Sequence, residues 1–189
     1  MKIPFTPLHY PVAWGLSKLD KRLSLPGLIF GSFMPDIEVP ILFLFFDVGI
    51  ENHFILHSLI GALTIGTLSS ILATVLLYPI IASLIFRVDK NKVKEACKFT
   101  PFLAFSCMLG NVFHLLLDLP MHPYSLVLWP FVDPYSIIGV LVLVFTVDGD
   151  IKLGFLVANI LTNLIMGLFM FTIVIKSRKN LWEKILVGN

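Results

Sequence analysis

Long apolar runs separated by short charged clusters organise this chain. Four runs reach the roughly 20 apolar residues that a helix needs to cross the hydrocarbon of a bilayer. They are Leu23 to Phe46, interrupted by Pro35-Asp36; Phe54 to Phe86, long enough to protrude or to bend at Pro79; Phe99 to Leu119; and Leu153 to Ile175. Two shorter apolar pieces remain, Thr6 to Ser17 and Ile137 to Val147. As a helix the second of these would be about 16 Å long, half a bilayer. The pattern predicts an all-α, polytopic integral-membrane helix bundle with about four full spans and two short or re-entrant helices. It forms a single domain over residues 1–189.

Composition narrows the class. The chain of 189 residues is 57% hydrophobic and only 14% charged, with a mean hydropathy of +0.92. A soluble domain carries about a quarter charged residues, so neither a water-soluble enzyme nor a disordered tail fits. A formal charge of +2 gives no reason to expect a nucleic-acid partner. Distribution says more than the sum. Lys18, Lys21 and Arg22 precede the first run, Arg87, Lys90, Lys92, Lys94 and Lys98 separate the second from the third, and Lys176, Arg178, Lys179 and Lys184 follow the last. Asp47–His53 and Pro120–Tyr135 hold no Lys or Arg. All three basic clusters and the C-terminus are cytoplasmic only if Ile137–Val147 turns back at Asp148-Gly149-Asp150 rather than crossing. Two prolines near the start argue against a cleavable signal peptide. Cys97 and Cys107 are too few for a disulfide framework and lack zinc-finger spacing.

The second run carries Ser58, Ala62, Gly66, Ser70 and Thr74, one small residue every four. The first carries Gly27 and Gly31 at the same spacing. Such rows let helices approach closely in lipid and predict packing faces. Asn159 and Asn163, four apart on the last run, are expected to bond between helices.

Ionisable residues at membrane depth are costly and mark function. Here they are His9, Asp36, His57, His114 and Asp118, with Glu38, His53 and His122 nearby. Under the predicted topology these residues, drawn from different segments, meet in one layer toward the outer side. His114 and Asp118 share a helix face, extended by Asn111 and Gly110. Pro120 should stop that helix and let the loop bring His122 back over the site. Thr6-Pro7 reads as a helix start that places His9 in a first turn. Pro35-Asp36 predicts an interrupted membrane helix, tolerated only where it faces protein or a wet cavity.

Pro4-Phe5-Thr6-Pro7-Leu8-His9, Leu25-Pro26-Gly27, Gly31-Ser32-Phe33-Met34-Pro35-Asp36, His57-Ser58-Leu59-Ile60-Gly61 and Gly110-Asn111-Val112-Phe113-His114 through Asp118, with His122 and Leu128-Trp129-Pro130-Phe131, form an ordered set of motifs. In these motifs the chain resembles small prokaryotic membrane proteins of the membrane-bound metal-dependent hydrolase family. That group includes a related domain-of-unknown-function family and bears a distant likeness to zinc-dependent phospholipase C. The resemblance covers about residues 4 to 131. It implies His9, Asp36, His57, His114 and Asp118 as metal ligands, and His122, which the following loop carries back over the site, is counted as a sixth candidate ligand. Some relatives carry a His-Arg pair before the His-Ser motif; here Glu51-Asn52-His53-Phe54-Ile55-Leu56-His57 stands instead.

A mixed nitrogen and oxygen donor set suits zinc first, with manganese or iron as alternatives. Glu38 is the first candidate for a general base and Glu51 the second. A site at lipid depth selects a membrane lipid as partner, so the leading expectation is metal-dependent hydrolysis of a phospholipid or lipid-linked phosphate ester in the cell membrane. The alternative is a non-enzymatic metal protein, whether structural ion, sensor or carrier. A scaffold with no ion is the third expectation. The chain has no Gly-rich phosphate loop and no serine nucleophile motif.

Overall fold

The computed structural model describes residues 6–46 and 55–188. Among them all regular structure is helical, apart from one isolated bridge between Val147 and Asp150. A 3-10 turn, Thr6–His9, leads into α1 (Tyr10–Leu19), followed by α2 (Leu25–Phe46). A second 3-10 turn, Ile55–His57, precedes α3 (Leu59–Gly61), which runs through a π-helical turn, Ala62–Gly66, into α4 (Thr67–Leu76). Then come α5 (Tyr78–Phe86), α6 (Lys90–Ala96) and α7 (Pro101–Asp118), the last prolonged by a 3-10 turn, Leu119–Met121. After a long loop follow α8 (Val140–Phe145), α9 (Ile151–Ser177) and α10 (Leu181–Leu186).

Local chemistry explains where the helices begin. Thr100 caps α7 by accepting from the Leu103 amide, with Pro101 in the first turn where no N–H is missed. The Ser58 hydroxyl accepts from the Gly61 amide and donates to the Ile55 carbonyl, which separates the His57 turn from the helix after it. Asp150 caps α9 through the amides of Lys152 and Leu153.

Among the described residues three helices are long and apolar enough to cross a membrane: Leu59–Leu76, Pro101–Met121 and Ile151–Ser177. Many of their large apolar side chains point outward. Leu68, Leu72, Leu76, Leu164, Leu168 and Phe171 are all more than half exposed, which suits lipid and not water as the surrounding solvent. The first run of the sequence becomes α2, and its first half is buried between α1, α4 and α7. The long second run is interrupted at Leu77, and Pro79 sits in the first turn of α5. The six residues of α8 span about 9 Å, too short to cross. A turn through Asp148 and Gly149, both at positive φ, folds α8 back onto α9.

One expectation is corrected. Pro35-Asp36 does not break the helix, because α2 runs unbroken through Pro35 and Pro40. Packing accounts for this: Pro35 is buried where α2 lies against α7, so neighbouring helices hold the backbone that the missing N–H leaves loose.

The small-residue rows form the helix contacts. Ser58, Ala62, Gly66, Ser70 and Thr74 are all buried. A β-carbon on Gly66 would meet the Asn111 side chain, and Ser70 Oγ accepts from Asn111 Nδ2 at 3.0 Å. Gly27 and Gly31 lie against Cys107 and Gly110 of α7. At one end of the bundle Tyr10 and Tyr78 donate to the carbonyls of Ile185 and Leu186 and hold α10 in place.

Candidate metal centre

Five segments bring their polar residues to one end of α7. α7 supplies His114 and Asp118, one turn apart; α2 supplies Asp36 and, half a turn on, Glu38. His57 comes from the turn before α3, His9 from the turn before α1, and His122 from the residue after the Leu119–Met121 turn. His9 closes the 3-10 turn that starts at Thr6 and leads into α1, the first helical turn that Thr6-Pro7 predicts.

One ligand atom each from Asp36, His57, His114 and Asp118 lies within 4.8 Å of all the others. Asp36 Oδ1 is 3.5 Å from His57 Nε2 and 3.5 Å from His114 Nε2. Asp118 is shared: Oδ2 is 3.2 Å from His114 Nε2, and Oδ1 is 3.2 Å from His9 Nε2. The His9 ring stacks on His114 with centroids 4.3 Å apart, and His57 meets it edge-on at 5.4 Å. His114 is fully buried and His57 nearly so.

Backbone carbonyls set the imidazole tautomers. His114 Nδ1 lies 2.7 Å from the Ser32 carbonyl of α2, which can only accept, so Nδ1 carries the proton. In the neutral imidazole Nε2 then presents its lone pair to the Asp36 and Asp118 carboxylates, and it has no hydrogen-bond partner. A lone pair facing two anionic oxygens is repulsive. A cation between them reverses the sign of that interaction, and two imidazoles with two carboxylates are a donor set for a borderline divalent ion. The residues fit a metal ion.

Glu38 stands behind His57. Its Oε2 accepts from the Leu56 amide at 3.0 Å and lies 3.6 Å from His57 Nδ1, on the side of the ring away from Asp36. This is where an orienting carboxylate sits around metal-ligating histidines. His122 Nδ1 donates to the Asp118 carbonyl at 3.0 Å, and its ring lines a small cleft with His57, Asp118, Tyr124, Ser125 and Val127. The cleft holds about 20 Å³, room for one water or a small ion. The loop that roofs it is anchored by bonds from the Leu59 amide to the Val127 carbonyl and from the Gly139 amide to the His122 carbonyl. Glu51 and His53 lie outside the described residues. Asn159 serves as predicted, donating to the Met121 carbonyl at the end of α7.

Two contributors left no side-chain signal in the sequence. Ser32 acts through its backbone carbonyl, and the roof residues Tyr124 to Val127 belong to no ligand motif. No curated protein and no solved structure matches the chain. A family model described as "Domain of unknown function (DUF4184)" matches residues 3–180, nearly the whole chain, and the protein belongs to that family.

Proposed function

We propose that the protein is a membrane-embedded hydrolase that uses a divalent metal ion, zinc foremost, to cleave a phospholipid or lipid-linked phosphate ester. The observation that carries this reading is the buried cluster of Asp36, His57, His114 and Asp118, with His114 Nε2 turned toward two carboxylates and lacking a hydrogen bond. His57, His114, Asp36 and Asp118 would hold the ion, with His9 fixing the outer oxygen of Asp118. A bound ion supplies Lewis acidity to a phosphoryl oxygen and acidifies a water. The chain's residues do the rest. Ser32 and Glu38 orient His114 and His57. His122, its Nδ1 tied to the Asp118 carbonyl, lines the cleft beside the cluster and positions what enters it. Glu38 is engaged behind His57, so we assign it orientation before base catalysis. Location at the end of the spanning helices favours a substrate already in the bilayer. With α2 as a fourth span and the basic clusters cytoplasmic, the site opens to the outer side of a prokaryotic cell membrane.

A non-enzymatic ion that cross-links helices is the second reading, favoured by how little space the cleft offers a headgroup. Elemental analysis of the detergent-purified protein beside His114→Ala/Asp118→Ala comes first, followed by hydrolysis assays on phospholipids and polyprenyl phosphates. Metal lost in the variant together with metal-dependent hydrolysis supports the enzyme. Metal without hydrolysis leaves the structural ion, and a well-folded wild type that takes up no metal defeats both.

A further inference from the structure

At the opposite end of α7 lies a second feature, roughly 20–25 Å from the metal cluster along the helix from Pro101 to His114 and Asp118. The interruption at Leu77 separates α4 from α5, and α6 packs on α5. Between them is a groove of about 840 Å³ lined by Val75, Leu76, Pro79, Ile80, Phe99 and the polar side chains of α6. Val93 and Cys97 turn inward and are buried. Lys90, Lys94 and Lys98, at a spacing of four, all line the groove and are exposed. Lys92 points elsewhere and pairs with Glu183 of α10 at 2.6 Å. Among the described residues no carboxylate lies within 4 Å of Lys90, Lys94 or Lys98; the ion pairs of Lys and Arg are Arg22–Asp20 and Lys92–Glu183. Glu95 is the one acid in the lining, and Asn91 adds a neutral polar group.

The groove sits where spanning helices end. Leu76 is the last residue of one candidate span, and Phe99 comes two residues before the first residue of another. Leu76, Ile80 and Phe99 are each about 60% exposed, so one wall is apolar surface facing the acyl region. The other wall is three lysines at the level where headgroups lie. An amphiphile with a negative head fits both walls at once, whereas a soluble anion satisfies only the lysines and a zwitterionic lipid gains little from their net charge.

We propose that this groove is a binding site for an anionic phospholipid, with Lys90, Lys94 and Lys98 around the headgroup phosphate and the first acyl carbons along Leu76, Ile80 and Phe99. The proposal does not depend on the metal cluster or on catalysis. Native mass spectrometry of the full chain in detergent, titrated with phosphatidylglycerol and separately with phosphatidylcholine, tests it. Wild type should retain phosphatidylglycerol and discriminate against phosphatidylcholine. Lys90→Gln/Lys94→Gln/Lys98→Gln should weaken retention by about fivefold for each lysine removed, while Lys152→Gln/Lys176→Gln/Lys179→Gln, which removes as much charge elsewhere, should retain it. Raising salt should weaken wild-type binding. Equal binding of both lipids, equal loss in both triple variants, or salt-independent retention by wild type would overturn the proposal. So would displacement by inorganic phosphate at concentrations equimolar with the lipid, which would mark a site for soluble anions.

Discussion

Gly31 of α2 and Gly110 of α7 meet so closely that neither position has room for a side chain. A β-carbon on Gly110 would lie 2.8 Å from the Gly31 Cα and 2.8 Å from the Ser32 nitrogen, and one on Gly31 would lie 2.9 Å from the Gly110 Cα. Next to this contact the Ser32 carbonyl accepts from His114 Nδ1. The approach of the two helices therefore sets the tautomer and direction of the central imidazole.

Gly110→Ala should push α2 away from α7 and lengthen that 2.7 Å bond. Overpacking of this kind costs about 1–3 kcal/mol, and loss of the orienting carbonyl should lower metal affinity about tenfold or more. Gly167→Ala on α9, where an added β-carbon meets nothing within 4 Å, is the matched control and should leave both unchanged. Thermal unfolding in detergent and metal content read the two effects. A Gly110→Ala protein as stable and as metal-loaded as wild type would show that the contact does not govern the site.

Glu38→Gln separates orientation from ligation. Glu38 touches His57 and the Leu56 amide and stands outside the four-atom cluster. Its loss should weaken metal binding about 10–100-fold with little change in melting temperature of the metal-free protein. Asp36→Asn, which alters a carboxylate inside the cluster, should abolish tight binding. Competition with a coloured chelator measures both, and equal affinities for the two variants would place Glu38 in the cluster itself.

The helical membrane character was legible because it depends on apolar runs, and the convergence of His9, Asp36, His57, His114 and Asp118 because ionisable groups stand out against those runs. The Ser58-to-Thr74 row announced a packing face for the same reason: side-chain size is written in the sequence. Continuity of α2 through Pro35 was not legible, since a proline's effect depends on what packs around it. Nor was the role of Ser32, whose contribution is a carbonyl that every residue possesses. Glu38 could be recognised as unusual, but only its distance to His57 Nδ1 distinguishes a carboxylate behind a ligand from one facing water.

Asn111 joins α7 to α4. Its Nδ2 donates to Ser70 Oγ at 3.0 Å and to the Cys107 carbonyl at 2.9 Å, and the residue is fully buried. Interhelical polar bonds in membrane proteins contribute about 0.6–1.7 kcal/mol, so Asn111→Ala should destabilise by about that amount. Ser70→Ala alone should cost less, and the double variant should cost less than the sum. A double-mutant cycle on unfolding in mixed micelles measures the coupling; strict additivity would show that the 3.0 Å bond carries none.

Cys97 provides a test of packing at the α6 end, outside the spanning helices. The residue is 2% exposed, and burial pushes its thiol up to about 12, with Cys107 a smaller contribution in the same direction. Only the thiolate attacks a maleimide, so at pH 8 the reactive fraction of Cys97 should be about one in ten thousand. In a Cys107→Ala background, which isolates Cys97, alkylation should be very slow at neutral pH and its rate should still be climbing at pH 10, where an ordinary exposed thiol has levelled off. Unfolding in strong detergent should restore ordinary reactivity. A plateau by about pH 9.5 in the folded protein would mean that the end of α6 does not pack Cys97 into the core, and the lysine groove built on that same helix would lose its floor.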